Sequence, residues 1–307
     1  MQPKGQGPIL IAGQTASGKS GLALKFARQL GGVIVNADSM QVYRELQILT
    51  ARPSELEMQG LPHKLYGHVT ARTPYSVGHW LHDVENVLSE IAHGSKRAII
   101  IGGTGLYFKA LLEGLSPVPD IRDSIRGKWR LRALDQSFDL HEALTKTDPD
   151  MAARLLPRDR QRLARALEVM EDTGRSLLYW QNQPGKGLID PADCVKLAIT
   201  IDRAELYARC DRRFDQMIDN GAIDEVSKLL DLQLPSTLPS MRALGVRPLA
   251  DFLAKKCSIE EAVEKAKTET RQYAKRQSTW LKSNMISWKH VNLKDMQRKQ
   301  IDLLSLI

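Results

Sequence analysis

The chain has 307 residues, 42% of them hydrophobic and 26% charged, with a formal net charge of +8. That is the composition of a soluble globular protein with a sizeable core, in one large or two modest domains, and it excludes a low-complexity chain. Its three cysteines, Cys194, Cys210 and Cys257, form no C-x-x-C pair, which argues against a zinc site and a disulfide framework and points to a reducing compartment. The residues from Met1 to Gly5 lack the apolar run of a signal peptide, and no apolar stretch is long enough to span a bilayer, so a cytoplasmic protein is expected. The positive charge leans toward a polyanionic partner.

Residues 8–12, Pro-Ile-Leu-Ile-Ala, read as a buried strand. They run into Gly13-Gln14-Thr15-Ala16-Ser17-Gly18-Lys19-Ser20, which has the G-x-x-x-x-G-K-[ST] spacing of a phosphate-binding P-loop. Leu22, Phe26 and Leu30 follow at four-residue spacing on one helical face. The glycines let backbone N–H groups wrap a phosphate, and the helix N-terminus adds partial positive charge. In that frame Lys19 holds a phosphate oxygen and Ser20 a Mg²⁺ ion.

A second buried strand over residues 33–37 ends on Asp38 and Ser39, at the edge of a parallel sheet that faces the same crevice as the P-loop. Residues 44–75 are polar and interrupted by proline, so mostly loop is expected there. A helix through Val84, Val87, Leu88 and Ile91 stops at Gly94. The third strand, 98–101, runs into Gly102-Gly103-Thr104-Gly105-Leu106-Tyr107. Alternation of strand and helix predicts an α/β fold, a P-loop NTPase-like doubly wound parallel sheet.

The pattern then changes. Residues 120–186 show helical patterns only, with Asp148-Pro149 as an N-cap and first helical position. The spacing of Arg158, Arg162 and Arg165 places them on one helix face, opposite Leu163, Leu167 and Met170. A strand over 195–201 rejoins the sheet, so 117–192 reads as an inserted all-helical domain, and 1–116 with 193–307 as the core. The remainder reads as helical: a helix with Arg209, Arg212 and Arg213, a turn-rich 239–247 element, and a long helix opened by the Ser258/Glu261 capping box.

Several chemical readings stay open on spacing alone. The third strand ends without an acid, so Asp38 is a metal partner, a general base or a structural turn cap. Thr104 reaches a phosphate from its glycine-flanked turn or merely shapes it. The arginine face reads either as a reader of phosphate backbone or as a solvated basic surface. His79 and His82 have no third ligand nearby, and the five tryptophans read as core or half-buried residues.

The ordered set of motifs resembles the tRNA dimethylallyltransferases (tRNA isopentenyltransferases) of bacterial form. It comprises the P-loop, Asp38-Ser39-Met40-Gln41-Val42-Tyr43, Pro62-His63-Lys64-Leu65 and 102–107. It continues with 161–169, Arg242-Ala243-Leu244-Gly245-Val246-Arg247 and 270–280. The resemblance implies transfer of a dimethylallyl group from its diphosphate to N6 of the adenosine beside the anticodon, with Mg²⁺ as cofactor and tRNA and dimethylallyl diphosphate as partners. It implies Asp38 as general base, Thr104 and Arg213 on the diphosphate, and residues 13–20 as its cradle. Asp38, Ser39, Met40 and Gln41 then match the turn that meets the target base, and Thr104 counts with them among the tRNA-binding positions. Arg126, Gln161-Arg162-Leu163-Ala164-Arg165 and Arg242 to Arg247 match tRNA-contacting positions. Two departures stand out: Gln14 replaces a common proline, and His79-Trp80 stands where an acid and an aromatic are more usual. No zinc finger follows Trp288, and nothing points to an obligate dimer, so a monomer is expected. The competing readings are a P-loop small-molecule kinase, prenyl transfer to a free adenine nucleotide, and an RNA-binding P-loop protein without prenyl chemistry.

Overall fold

Four apolar runs set the architecture. Ile9, Leu10, Ile11 and Ala12 are all buried, as are Ile34, Ile99, Ile100, Leu197 and Ile199, as expected of parallel strands covered on both faces. The computed structural model describes residues 7–94, 96–298 and 303–306. In chain order the first elements are β1 (Ile9–Gly13), α1 (Lys19–Leu30), β2 (Val33–Asn36), α2 (Glu55–Met58), β3 (His63–Lys64), α3 (Val77–His93), β4 (Ala98–Gly102) and α4 (Gly105–Glu113). The helices α5 (Asp123–Leu134), α6 (Leu140–Thr147), α7 (Pro149–Ala152), α8 (Arg160–Thr173) and α9 (Leu177–Gln181) follow. The chain continues with β5 (Val195–Thr200), α10 (Arg203–Asp219), α11 (Ala222–Asp231), a 3₁₀ turn at Pro239–Arg242, α12 (Val246–Leu253), α13 (Ile259–Asn284), β6 (Lys289–Asn292) and α14 (Leu293–Arg298).

The six strands form one sheet in the order β3-β2-β4-β1-β5-β6, and every pairing is parallel. Side chains alternate between its faces. Leu10, Val35 and Ile100 pack with Trp80, Phe108 and Trp288, whereas Ile9, Ile11, Ile99 and Ile101 pack with Phe26 of α1. Trp80 is fully buried, stacks on Tyr107 at 4.4 Å and donates its indole N–H to the Asn36 carbonyl at 2.8 Å. It therefore ties α3 to the end of β2, just before Asp38.

The 44–75 stretch is mostly loop as expected, broken only by the short α2 and β3. Two sequence expectations need correction, the first being that the supposedly helical remainder holds β6. Both missed strands lie at the sheet edges; in β6 the fully buried residue is Val291, and its Lys289 and His290 are exposed, so no apolar run marks it. Arg158 is not on the arginine helix. Asp159 caps α8, its carboxylate accepting the Arg162 N–H at 3.3 Å, and Arg158 lies in the turn before it.

The chain forms two compact units, one comprising the described residues through Leu112 and from Leu188 onward, the other Glu113–Gly187. The second has its own core, in which Trp129, Leu140, Leu144, Leu163 and Leu167 meet. Among the described residues no helix is long and apolar enough to cross a membrane.

Candidate active site

β1 ends on a loop whose backbone leaves the strand and turns into α1 through Gly18, which caps the helix at φ 89°, a left-handed value that favours glycine. The Lys19 ammonium folds back over this loop and donates to the Gln14 carbonyl at 3.0 Å. Burial pushes its pKa down to about 8; the Asp38 carboxylate opposes that shift, and the Arg213 guanidinium adds to it. Arg213, half-buried on α10, donates to the Thr15 hydroxyl at 3.3 Å. Its own pKa is lowered by burial, against the attraction of Asp38. Two cations are thus held at low solvation beside a loop of backbone donors, an arrangement that an incoming diphosphate stabilises.

Asp38 is placed by its neighbours. The Asn36 carboxamide oxygen accepts the Asp38 N–H at 2.9 Å, and its NH₂ donates to the carbonyls of Asp38 and Leu65, each at 3.0 Å. Asp38 Oδ1 accepts the Met40 N–H at 2.9 Å, and Oδ2 has no hydrogen bond among the described residues. Around it stand Tyr66, Tyr107 and Tyr273, whose hydroxyls are held far above their usual pKa, first by burial and then by the Asp38 charge. Thr104 closes the group: its hydroxyl accepts the Ser39 N–H at 3.0 Å and lies 3.4 Å from the Ser39 hydroxyl. A cavity of about 40 Å³ adjoins, lined by Thr15, Arg213, Leu49, Phe214, Met217 and Leu244 among others.

The P-loop, Asp38 with Ser39 and Met40, Thr104 and Arg213 therefore converge at the carboxyl ends of β1, β2 and β4, the crevice where open α/β sheets bind ligands. Gln41 lies on the same turn, its NH₂ donating to the carbonyls of Thr50 and Ala51, each at 2.9 Å. Within Arg242 to Arg247 the two arginines are exposed, Ala243 and Val246 are buried, and Leu244 lines the small cavity. The remaining candidates lie in the other unit. There Gln161 and Arg162 are exposed, Arg165 is partly exposed and paired with Glu168 at 3.1 Å, and Leu163 and Ala164 are core residues. Arg126 pairs with Asp123 at 3.1 Å.

Sequence reasoning assigned no role to Gln277 on α13. Its side-chain oxygen accepts the Thr15 N–H and its NH₂ donates to the Gly103 carbonyl, both at 2.9 Å. The available signal was its place in the 270–280 motif, on one helical face with Tyr273 and Trp280. A shallow groove of about 560 Å³ runs along α13 beside Gln272, Lys275, Arg276, Thr279 and Trp280.

Fold and loop together define a P-loop protein of the α/β class. A profile of the family described as IPP transferase matches residues 41–284, and one described as isopentenyl transferase matches 8–69. The chain is 49% identical over 288 residues to the tRNA dimethylallyltransferase of Chelativorans sp., covering 93% of this chain and 99% of the relative. It is 48% identical over 299 residues to that of Parvibaculum lavamentivorans, covering 97% and 95%. The crystal structure of the tRNA isopentenylpyrophosphate transferase of Bacillus halodurans superposes with a TM-score of 0.68 at 32% identity, over 94% of this chain and 90% of that one. A eukaryotic dimethylallyltransferase acting on tRNA gives 0.76 at 28% identity, over 94% and 74%. The chain belongs to the IPP transferase family.

Proposed function

We propose that this protein transfers the dimethylallyl group of dimethylallyl diphosphate to N6 of the adenosine 3′-adjacent to the anticodon (position 37) in tRNA, releasing diphosphate. The observation that carries this reading is that Lys19 and Arg213 are held on the P-loop, at the Gln14 carbonyl and the Thr15 hydroxyl, within electrostatic reach of Asp38, in a chain about half identical to tRNA dimethylallyltransferases.

In this mechanism the loop of residues Gly13 to Ser20 holds the diphosphate through its N–H groups, with Lys19 and Arg213 taking its charge. The amine of the adenine attacks the allylic carbon. A C–N bond forms, the C–O bond to the diphosphate breaks, and one N6 proton passes to the Asp38 carboxylate. Thr104, held against Ser39, supplies a hydroxyl beside the bond that breaks. The Tyr66, Tyr107 and Tyr273 hydroxyls, whose pKa burial raises, stay protonated across physiological pH and do not compete for the proton.

Magnesium fits this donor set. Among the described residues no three His, Cys, Asp or Glu side chains form a metal cage. Magnesium commonly needs only one or two protein oxygens besides phosphate. The exposed Ser20 at the start of α1 would supply the protein donor through its hydroxyl. Bound there, the ion would supply charge neutralisation for the diphosphate.

The target base must leave its stack to reach Asp38, with Met40 and Gln41 on the receiving turn. Arg126, Gln161, Arg162 and Arg165 of the helical unit, and Arg242 and Arg247 of the core, would hold the anticodon stem-loop through its phosphates, Leu163, Ala164 and residues 243–246 contributing backbone and shape. The surface pairs Arg126–Asp123 and Arg162–Asp159 are each worth only about 0–1 kcal/mol and exchange readily for phosphate, whereas Arg165 is held by the buried Glu168. The test is incubation of the protein with Mg²⁺, dimethylallyl diphosphate and unmodified tRNA, then nucleoside mass spectrometry. Parallel arms use AMP, and ATP with small acceptors. An adenosine carrying one added C5H8 unit, found only with tRNA, is expected. Prenylated AMP, or ATP consumption without prenyl transfer, would overturn the reading.

A further inference from the structure

β1 and β4 are paired only as far as Ala12 opposite Gly102. Beyond that rung the two chains diverge, one into the diphosphate loop and the other into the Thr104 turn, and no ladder fixes their spacing. Gln277 stands at this point. It is 7% exposed, and both ends of its carboxamide are used, one on the Thr15 N–H and the other on the Gly103 carbonyl, each at 2.9 Å. The approach is so close that a Cβ added at Gly103 would overlap the Gln277 amide nitrogen. The next residue adds a second tie: Ser278 accepts a hydrogen bond from the Gln14 side chain at 3.1 Å and donates to the Ala274 carbonyl at 2.9 Å.

We infer that Gln277 is a positioning residue for the transfer reaction, setting the spacing between the diphosphate loop and the turn that carries Thr104. The inference rests on the function proposed above. Displacement needs the diphosphate, the allylic carbon and the attacking amine aligned. The diphosphate belongs to the loop, while the Thr104 hydroxyl is tied to Ser39, next to Asp38. Gln277 joins these two halves of the site without meeting the reacting atoms. A displacement on the order of 1 Å between such halves costs about 100-fold in rate.

Three variants test this, read by kcat, KM for dimethylallyl diphosphate, tRNA affinity and melting temperature. Gln277→Met removes both hydrogen bonds at similar volume. It should lower kcat about 10- to 100-fold, with tRNA affinity unchanged within about twofold. Ser278→Ala removes the tie to Gln14 together with the hydroxyl's bond to the Ala274 carbonyl of its own helix, leaves both Gln277 bonds in place, and should lower kcat by a smaller factor. Gln277→Glu keeps the acceptor for Thr15 but loses the donor to Gly103 when ionised, and regains it when protonated. Its kcat relative to wild type should therefore rise as pH falls, a signature that a merely structural residue would not give. That ratio also decides the matter if Gln277→Met does not fold. The inference is overturned if Gln277→Met retains wild-type kcat, if lost tRNA affinity accounts for the whole defect, or if the Gln277→Glu ratio is flat with pH. A wild-type enzyme that transfers no prenyl group would overturn the functional reading instead, and this inference with it.

Discussion

The two compact units handle charge in opposite ways. In the core, Lys19 and Arg213 are drawn out of water beside Asp38, and burial lowers the pKa of both cations. In the helical unit Arg162 is 75% exposed and meets Asp159 at 3.1 Å, and the largely exposed Arg122 is held by Asp172. Charges of the first kind act at hydrogen-bond distance, are little screened, and tolerate almost no displacement. Those of the second kind make salt-dependent, replaceable contacts with a phosphate chain. Under the proposed function, bond-making falls to the core and RNA holding to exposed arginines.

Substitutions can break or sharpen this division. The largest effect is expected from Asp38→Ala, which should lower kcat about 100- to 10,000-fold while leaving tRNA affinity within about twofold, as checked by steady-state kinetics and filter binding. Next comes Lys19→Met, expected to lower kcat/KM for dimethylallyl diphosphate about 100- to 1,000-fold. Lys19 also sets a pH dependence. Its folded pKa lies near 8, so the cation is present below that pH and lost above it. Wild-type kcat/KM for the diphosphate should accordingly fall as pH rises through about 8, and a pH–rate profile checks the sign. Thr104→Val removes the acceptor for the Ser39 N–H and should cost about 10-fold in kcat, with Thr104→Ser recovering most of it. The smallest effect is expected from Arg162→Ala. It should weaken tRNA binding several-fold, reduce the slope of log affinity against log salt by about 1, and leave kcat at saturating tRNA unchanged. A salt-independent defect there would dissolve the comparison.

How much of this was legible in the sequence depended on how local its cause was. β1, β2 and β4 announce themselves as apolar runs because both their faces are buried, and the P-loop because its backbone demands glycine at set positions. The capping box at Ser258 and the stop at Gly94 are equally local. β3 and β6 were not legible, since edge strands with one partner need little apolar surface. Arg158 was misplaced because its spacing from Arg162 fits a helix, while Asp159 between them is the residue that starts one. Among the candidate site residues, Asp38 and Thr104 lie at strand ends and were readable as edge positions. Their contact spans 65 residues through Ser39 and was not readable. Gln277 is the limiting case. A glutamine on a basic helix carries no local sign that its partners lie 262 and 174 positions away.

The most direct measurement is a rapid-quench single-turnover experiment with dimethylallyl diphosphate and tRNA both saturating, comparing wild type, Asp38→Ala and the double variant Arg162→Ala/Arg165→Ala. We expect Asp38→Ala to bind tRNA normally and form almost no prenylated adenosine, and the arginine variant to react at the wild-type rate once saturated. A normal rate for Asp38→Ala, or a slow bond-making step in the arginine variant at saturation, would contradict the assignment of chemistry to the core and grip to the arginines.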